Sequence, residues 1–197
     1  MSDVKNRFNP DWLTGVFTTI IAFISVAALI YAHLQLKEAH EESQVQHLLS
    51  LQQQYEQEPM VTYRKLYATK RLAGVEDPPE RYRMLDFFET VALLVKRGYL
   101  RDSEVWETFG NEIFPLYADT RDQIEQERKA DPAEYSNLIS LVSRLEAIES
   151  EQKGTLAKPS KEDIVDYWKD EAAIGIGTPT AHHKAKAQNP VGVPKHP

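Results

Sequence analysis

Residues 77–98 read DPPERYRMLDFFETVALLVKRG, and this stretch predicts the core helix of the domain. Asp77 is a helix-capping residue, the two prolines suit a first helical turn, and Glu80 completes a capping box. The apolar residues that follow recur at intervals of three and four, the period of one helical face. A basic last turn and a glycine stop end the stretch. The periodic residues are Met84, Leu85, Phe87, Phe88, Val91, Ala92, Leu94 and Val95.

Upstream of this core helix, residues 37–58 are polar and contain no glycine or proline. They predict a helical stalk that ends at Pro59, since proline removes a backbone donor and blocks the preceding turn. A further helix is expected from there to Leu72, with Gly74 as its stop and Leu66 in its core stripe.

Downstream, Asp102 is expected to cap the next helix, which Pro115 should kink or split. Residues 119–129 are mostly charged and are expected to face solvent. DPAE at residues 131–134 repeats the start signal of the core helix, and residues 160–168 predict a short amphipathic helix that docks on the domain. Strict apolar and polar alternation is lacking, so the sequence predicts an all-α fold without a sheet.

Near the amino terminus, Leu13 to Leu34 form a run of 22 residues without Asp, Glu, Lys or Arg. A helix of this length spans about 33 Å, against roughly 30 Å of bilayer hydrocarbon. Trp12 and Tyr31 lie near its two ends, where interfacial aromatic residues are common. The run therefore predicts one uncleaved transmembrane helix over residues 12–36.

The predicted fold class is thus all-α: a single transmembrane helix that continues into a stalk, a small helical bundle, and a disordered tail rich in Gly, Pro, Lys and His. The expected segments are an amino-terminal flank (1–11), the transmembrane helix (12–36), the stalk (37–58), the helical domain (59–152), a linker with a short helix (153–174) and the tail (175–197).

The composition excludes several function classes. A formal charge of −7 argues against nucleic acid as the main partner, because phosphate contacts need a basic surface. The absence of cysteine excludes disulfides, thiolate catalysis and zinc–thiolate sites. His33, His40 and His47 recur every seventh residue but lie about 10 Å apart along a helix, too far for one metal ion. We expect no cofactor and no metal.

The aromatic residues of the core helices exceed what a three-helix core needs, so part of them is expected to form an exposed partner-docking patch. Glu89 lies between apolar residues and is the best candidate for a buried polar group, expected to pair with Arg64 or Arg83. The candidate docking residues are Phe87, Phe88, Trp106, Phe109 and Tyr117.

Several motifs together resemble a bacterial family known only as a domain of unknown function, over roughly Trp12 to Leu145. The resemblance implies a small anchored helical protein of the bacterial plasma (inner) membrane, with no catalytic residues. The motifs are Leu85-Asp86-Phe87-Phe88-Glu89, Gly98-Tyr99-Leu100, Val105-Trp106, Phe109-Gly110 and Ile113.

The side of the membrane on which the domain lies is left open. The resemblance favours the cytoplasm, whereas two basic residues before the span and one shortly after it favour export of the domain.

The expected function is a non-enzymatic, membrane-anchored interaction, scaffold or signalling module. Its expected partners are the lipid bilayer and a protein partner or a second copy of the chain. The alternative is an effector of the phage-defence or toxin type that acts on the membrane when its soluble domain is triggered. A hydrolase has less support, because it would need a buried acid pair that no motif locates.

Overall fold

The computed structural model describes residues 28–36, 43–154 and 158–175. The chain divides into two compact units, residues 1–45 and 46–197. Within the described ranges the regular secondary structure is helical and contains no strand, which confirms the predicted all-α class.

The second unit is a helical bundle. Helix α2 packs against α3 and α6, while α5 packs against α3 and α4. The helices are α1 (residues 43–56, of which 46–56 belong to this unit), α2 (Met60–Leu72), α3 (Arg81–Lys96), α4 (Asp102–Glu127), α5 (Ser136–Lys153) and α6 (Lys161–Ala172).

The centre of the bundle is the apolar face of α3, as the periodicity predicts. Phe88 and Val91 are fully buried, and Leu94 and Val95 pack against the core from its edge. Each fully buried side chain of this size stabilises the fold by about 1.5–3 kcal/mol relative to an exposed one. The spacing of apolar residues at intervals of three and four along α3 therefore sets which of its sides faces inward.

The predicted ends of α2 and α3 are confirmed. Gly74 and Gly98 follow the two helices with φ of +85° and +78°, a backbone conformation that other residues adopt at a cost. The predicted cap of α3 is wrong, since Asp77 pairs with Arg81 at 3.0 Å (Oδ1 to Nε) and the helix begins only at Arg81. Leu66 is also misassigned, because it is 43% exposed.

The stalk prediction is wrong for its carboxyl-terminal part. Leu51 and Tyr55 belong to the buried core, and the Tyr55 ring lies 5.2 Å from the ring centroid of Phe87 and 5.4 Å from that of Phe88. Apolar residues four apart on a polar helix are thus the contact face of a bundle helix. Residues 46–56 are part of the domain rather than a spacer before it.

Helix α4 continues through Pro115, so the expected split does not occur. A proline frees the carbonyl four residues earlier, here that of Asn111, and Asn111 is exposed to solvent. Thr120 and Ile124 are buried, so the part of α4 after the proline does not simply face solvent. Tertiary packing on both sides of Pro115 holds the helix in one piece.

Most of the predicted transmembrane helix and nearly all of the tail lie outside the described residues. Residues 28–36 are helical and exposed, and residues 12–27 and 176–197 are not described. Among the described helices, none has both the length and the apolar character needed to cross a membrane.

Candidate functional site

Three of the five expected docking residues lie in the core. Phe87, Phe88 and Phe109 are 6%, 0% and 1% exposed. Their rings pack edge to face with one another, and each also contacts the Tyr55 ring. The expectation that they form an exposed docking patch is therefore wrong. These rings fill the space where α1, α3 and α4 meet, a larger core than three helices would need.

Trp106 and Tyr117 are half-buried and lie at the surface of α4. Trp106 donates a hydrogen bond from Nε1 to Glu149 Oε2 of α5 at 2.6 Å, and Lys153 Nζ donates to the other oxygen of Glu149. Tyr117 lines a groove of about 380 Å³ between α4 and α5, together with Ile139. Trp106 therefore joins two helices, and Tyr117 offers part of its ring to solvent.

Glu89 is half-buried, but it pairs with neither Arg64 nor Arg83. Its carboxylate accepts hydrogen bonds from Asn137 Nδ2 at 2.6 Å and from the backbone N–H of Leu138 at 2.7 Å. Both donors lie in the first turn of α5, where backbone N–H groups lack helical partners and the helix dipole favours a negative charge. Glu89 of α3 thus caps α5 from a neighbouring helix.

The most unusual site lies beneath α6, where two charged side chains are buried together. Arg64 of α2 is 2% exposed and Glu171 of α6 is 0% exposed. Arg64 donates to Glu171 through Nε at 2.8 Å and through Nη2 at 2.6 Å, a two-point contact between guanidinium and carboxylate. Its Nη1 donates to the backbone oxygen of Tyr55 at 3.1 Å.

Aromatic rings surround this ion pair. The Arg64 guanidinium lies 4.0 Å from the centroid of the Tyr55 ring, a cation–π contact. The hydroxyl groups of Tyr55 and Tyr167 are 3.4 Å apart, and the Tyr67 ring packs on Trp168 with centroids 4.9 Å apart. We call Tyr55, Arg64 and Tyr67 the helix-binding face, since α6 rests on them.

The helix-binding face is fixed in place by a second polar contact. Tyr67 donates from its hydroxyl to Asp119 Oδ2 of α4 at 2.8 Å, and Arg71 donates from Nε to the same oxygen at 2.8 Å. These bonds join α2 to α4. The orientation of Tyr67 is therefore set by α4 as well as by α6.

The electrostatics of the site follow from its burial. Burial, followed by the negative charge of Glu171, raises the pKa of Tyr167 well above its ordinary value of 10. Burial alone would lower the pKa of Arg64, but Tyr55 and Glu171 raise it above its ordinary value. Glu112 of α4 is also buried, and its negative charge raises the pKa values of Tyr55 and Tyr167 further. Both tyrosines are neutral and Arg64 is charged at neutral pH.

This arrangement can recognise a helix. Tyr167, Trp168 and Glu171 occupy one side of α6 because residues three and four apart share a face. Ile164 extends the same stripe by one turn and packs against the core. A buried guanidinium framed by rings therefore accepts an amphipathic helix that carries aromatic residues and one carboxylate. Within the described part of the chain, no cluster of three or more His, Asp or Glu is arranged to hold a metal ion.

The sequence predicted that the short helix docks through Ile164, Val165, Tyr167 and Trp168; Val165 is 42% exposed, whereas the other three pack on the domain. The prediction missed both Arg64, as the partner of this helix, and Glu171. The pair is 107 residues apart in the chain, and no motif connects the two positions. A usable signal existed in each helix separately. Arg64 lies on the same face as the buried Tyr67 and Ala68, and Glu171 lies one turn after Tyr167, so each is a charge on an apolar stripe.

The comparisons with known proteins are sparse. The model of a family described as a domain of unknown function (DUF4760) matches residues 22–145, which is more than half of the chain. The match includes α2, α3 and α4 and ends within α5, before α6 begins. No curated protein and no solved structure matches the chain.

Proposed function

We propose that this chain, which belongs to the DUF4760 family, is a membrane-tethered, non-enzymatic interaction module whose bundle holds an amphipathic helix. The observation that carries the proposal is the seating of α6 on the helix-binding face. The family's description names no activity, and the residues of this chain supply the support for the proposed role.

The tether is supported by the sequence of residues 13–34. Their 22 residues include no Asp, Glu, Lys or Arg and match the thickness of a bilayer as a helix. We propose that this segment anchors the chain in the plasma membrane of a bacterium as a single span. The helical domain begins at residue 46, so residues 35–45 separate the proposed anchor from the bundle in the sequence.

The interaction role is supported by the chemistry under α6. A buried ion pair contributes little to stability compared with apolar residues of the same volume, but it imposes a strict requirement on its partner. Arg64 accepts only a helix that brings a carboxylate to within hydrogen-bond distance. The face is thus better suited to selecting a helix than to maximising the stability of the fold.

The tether is tested first, by comparing the full chain with a variant that lacks residues 13–34. After expression in bacteria and an alkaline wash of the membranes, we expect the full chain in the membrane pellet and the deletion variant in the supernatant. Release of the full chain by the wash would refute the tether. Depolarisation of the cells by the full chain, lost on deletion, would instead favour the alternative of a membrane-acting effector.

The interaction role is tested through the seating of α6. The parent chain has no cysteine, so Ala172→Cys places one thiol in the partly buried last turn of α6. Adding Glu171→Gln should raise its labelling rate at least about 10-fold, because Arg64 loses its buried counter-charge. Glu162→Gln, the same change at an exposed position of α6, is the matched control and should leave the rate unchanged. Equal rates for all three chains would refute the assignment of the face.

A further inference from the structure

We infer that α6 is a displaceable resident ligand that keeps the helix-binding face closed, and that the external partner is an amphipathic helix carrying the same pattern. That pattern is two adjacent aromatic residues and, three residues after the second of them, a carboxylate, as in Tyr167, Trp168 and Glu171. The inference rests on the proposed function and adds how the site is regulated and what it binds.

The position of α6 in the chain supports this reading. The family match ends at residue 145, whereas α6 begins at Lys161, so the matched part of the chain supplies the face and the extension supplies its occupant. Seven residues, 154–160, separate α5 from α6. Helix α6 makes its main contacts with α2 and α4 rather than with the neighbouring α5. Helix α6 therefore lies across helices that the matched part of the chain supplies.

The buried charge explains why the partner must resemble α6. Once α6 leaves, Arg64 either becomes hydrated or pairs with another carboxylate. A purely apolar helix would bury Arg64 without a counter-charge, which is strongly unfavourable. The ring of Tyr67 accepts an aromatic side chain edge to face at 4.9 Å, as it does Trp168. The face therefore selects both an acid and an aromatic residue.

The fit of α6 leaves room for competition. Trp168 Nε1 is buried and has no hydrogen-bond partner among the described residues, so the resident helix gives up one bond that it has in water. Helix α6 has 12 residues, a length at which an isolated helix is marginal in water. The short connection still gives it an effective concentration of about 1 mM. A competing helix must bind more tightly than α6 or be present above this effective concentration, so the face is closed by α6 in the absence of a partner.

The test uses the full chain in detergent and a fluorescent peptide of residues 158–175 as the probe. Glu171→Arg in the chain places a second positive charge next to Arg64 and should release α6, while the residues of the helix-binding face keep their identity. We expect this open chain to bind the peptide at least about 10-fold more tightly than the unmodified chain, because the closed state lowers apparent affinity by the fraction that is open. The control chain carries Glu162→Arg, and the control peptide carries Glu171→Arg.

The outcomes separate the two proposals. If the unmodified chain binds the peptide as tightly as the open chain, α6 does not close the face, and the inference is overturned while the helix-binding function stands. If the peptide binds neither chain although the thiol of Ala172→Cys labels quickly in the open chain, the helix-binding function fails as well. Equal binding of both peptides would overturn selection of the carboxylate.

A second measurement covers the case in which Glu171→Arg unfolds the bundle, as circular dichroism would reveal. In the chain with Ala172→Cys and an intact Glu171, millimolar peptide should trap the open state and accelerate thiol labelling several-fold. The control peptide should not. An unchanged labelling rate at this concentration would overturn displacement of α6.

Discussion

Removal of Arg64 alone should destabilise the bundle far more than removal of the whole ion pair. Arg64→Met leaves Glu171 buried without its counter-charge and removes two hydrogen bonds to it, at 2.8 and 2.6 Å. It also removes the bond to the Tyr55 carbonyl and the cation–π contact with its ring. Breaking a buried pair in this way costs about 3–5 kcal/mol.

The double variant Arg64→Met with Glu171→Leu removes both charges and keeps most of the buried volume. Replacement of a buried ion pair by apolar residues is commonly neutral or stabilising by about 1–4 kcal/mol. We therefore expect the double variant to regain most of the stability that the single variant loses. The difference between the two isolates the coupling between Arg64 and Glu171.

Urea unfolding of the full chain in detergent, followed by the far-ultraviolet circular dichroism of the bundle, measures both effects. Arg121→Met is the matched control, because Arg121 pairs with Glu125 on the exposed side of α4 and should leave the urea midpoint unchanged. The reasoning would be refuted if Arg64→Met shifted the midpoint as little as the control. It would also fail if the double variant were as unstable as the single one.

Three further predictions concern other parts of the fold. Burial raises the pKa values of Tyr55 and Tyr167, so the folded state favours their neutral forms. The free energy of unfolding should therefore be unaffected by these groups below pH 10 and should fall as the pH rises above it. Absorbance at 295 nm should show both tyrosines ionising only as the bundle unfolds. Glu89→Gln should cost about 1–2 kcal/mol because the first turn of α5 loses its negative cap, and the same change at the exposed Glu107 should leave the urea midpoint in place. Gly98→Ala should cost about 1–2 kcal/mol because of the φ of +78° at this position, since no atom beyond its chain neighbours lies within 4 Å of the added Cβ. A lowered thermal midpoint with an unchanged helical signal would verify this prediction.

The carboxyl ends of α2 and α3 were readable from the sequence, whereas the predicted caps Asp77 and Asp131 lie four and five residues before the first residues of α3 and α5. Gly74 and Gly98 end α2 and α3 because a helix commonly closes with a residue of positive φ, which glycine adopts without strain. The amphipathic pattern of residues 160–168 also predicted α6, which begins at Lys161 and ends at Ala172, four residues beyond the predicted end. Such signals act within one turn of the chain, so a single sequence contains all the information they need.

The roles of individual side chains were less readable. The chemistry of a docking patch is shared by Phe87, Phe88 and Phe109. They are interior residues because they pack against Tyr55 of α1, a contact that the sequence did not indicate. Glu89 resembled one half of an ion pair, but its partners are backbone N–H groups of a helix 48 residues away. An amphipathic pattern defines an apolar face without stating which helix covers it.

The sequence by itself therefore determined the helical class, the carboxyl ends of α2 and α3, and the run of residues 13–34 without Asp, Glu, Lys or Arg. Only the tertiary structure decided that residues 46–56 join the bundle, and that Arg64 meets Glu171 across 107 residues. The physical reason is the distance along the sequence over which each kind of interaction acts. Helix periodicity and capping depend on neighbours within about four residues, whereas the pairing of buried charges depends on which faces compete for the same interior volume.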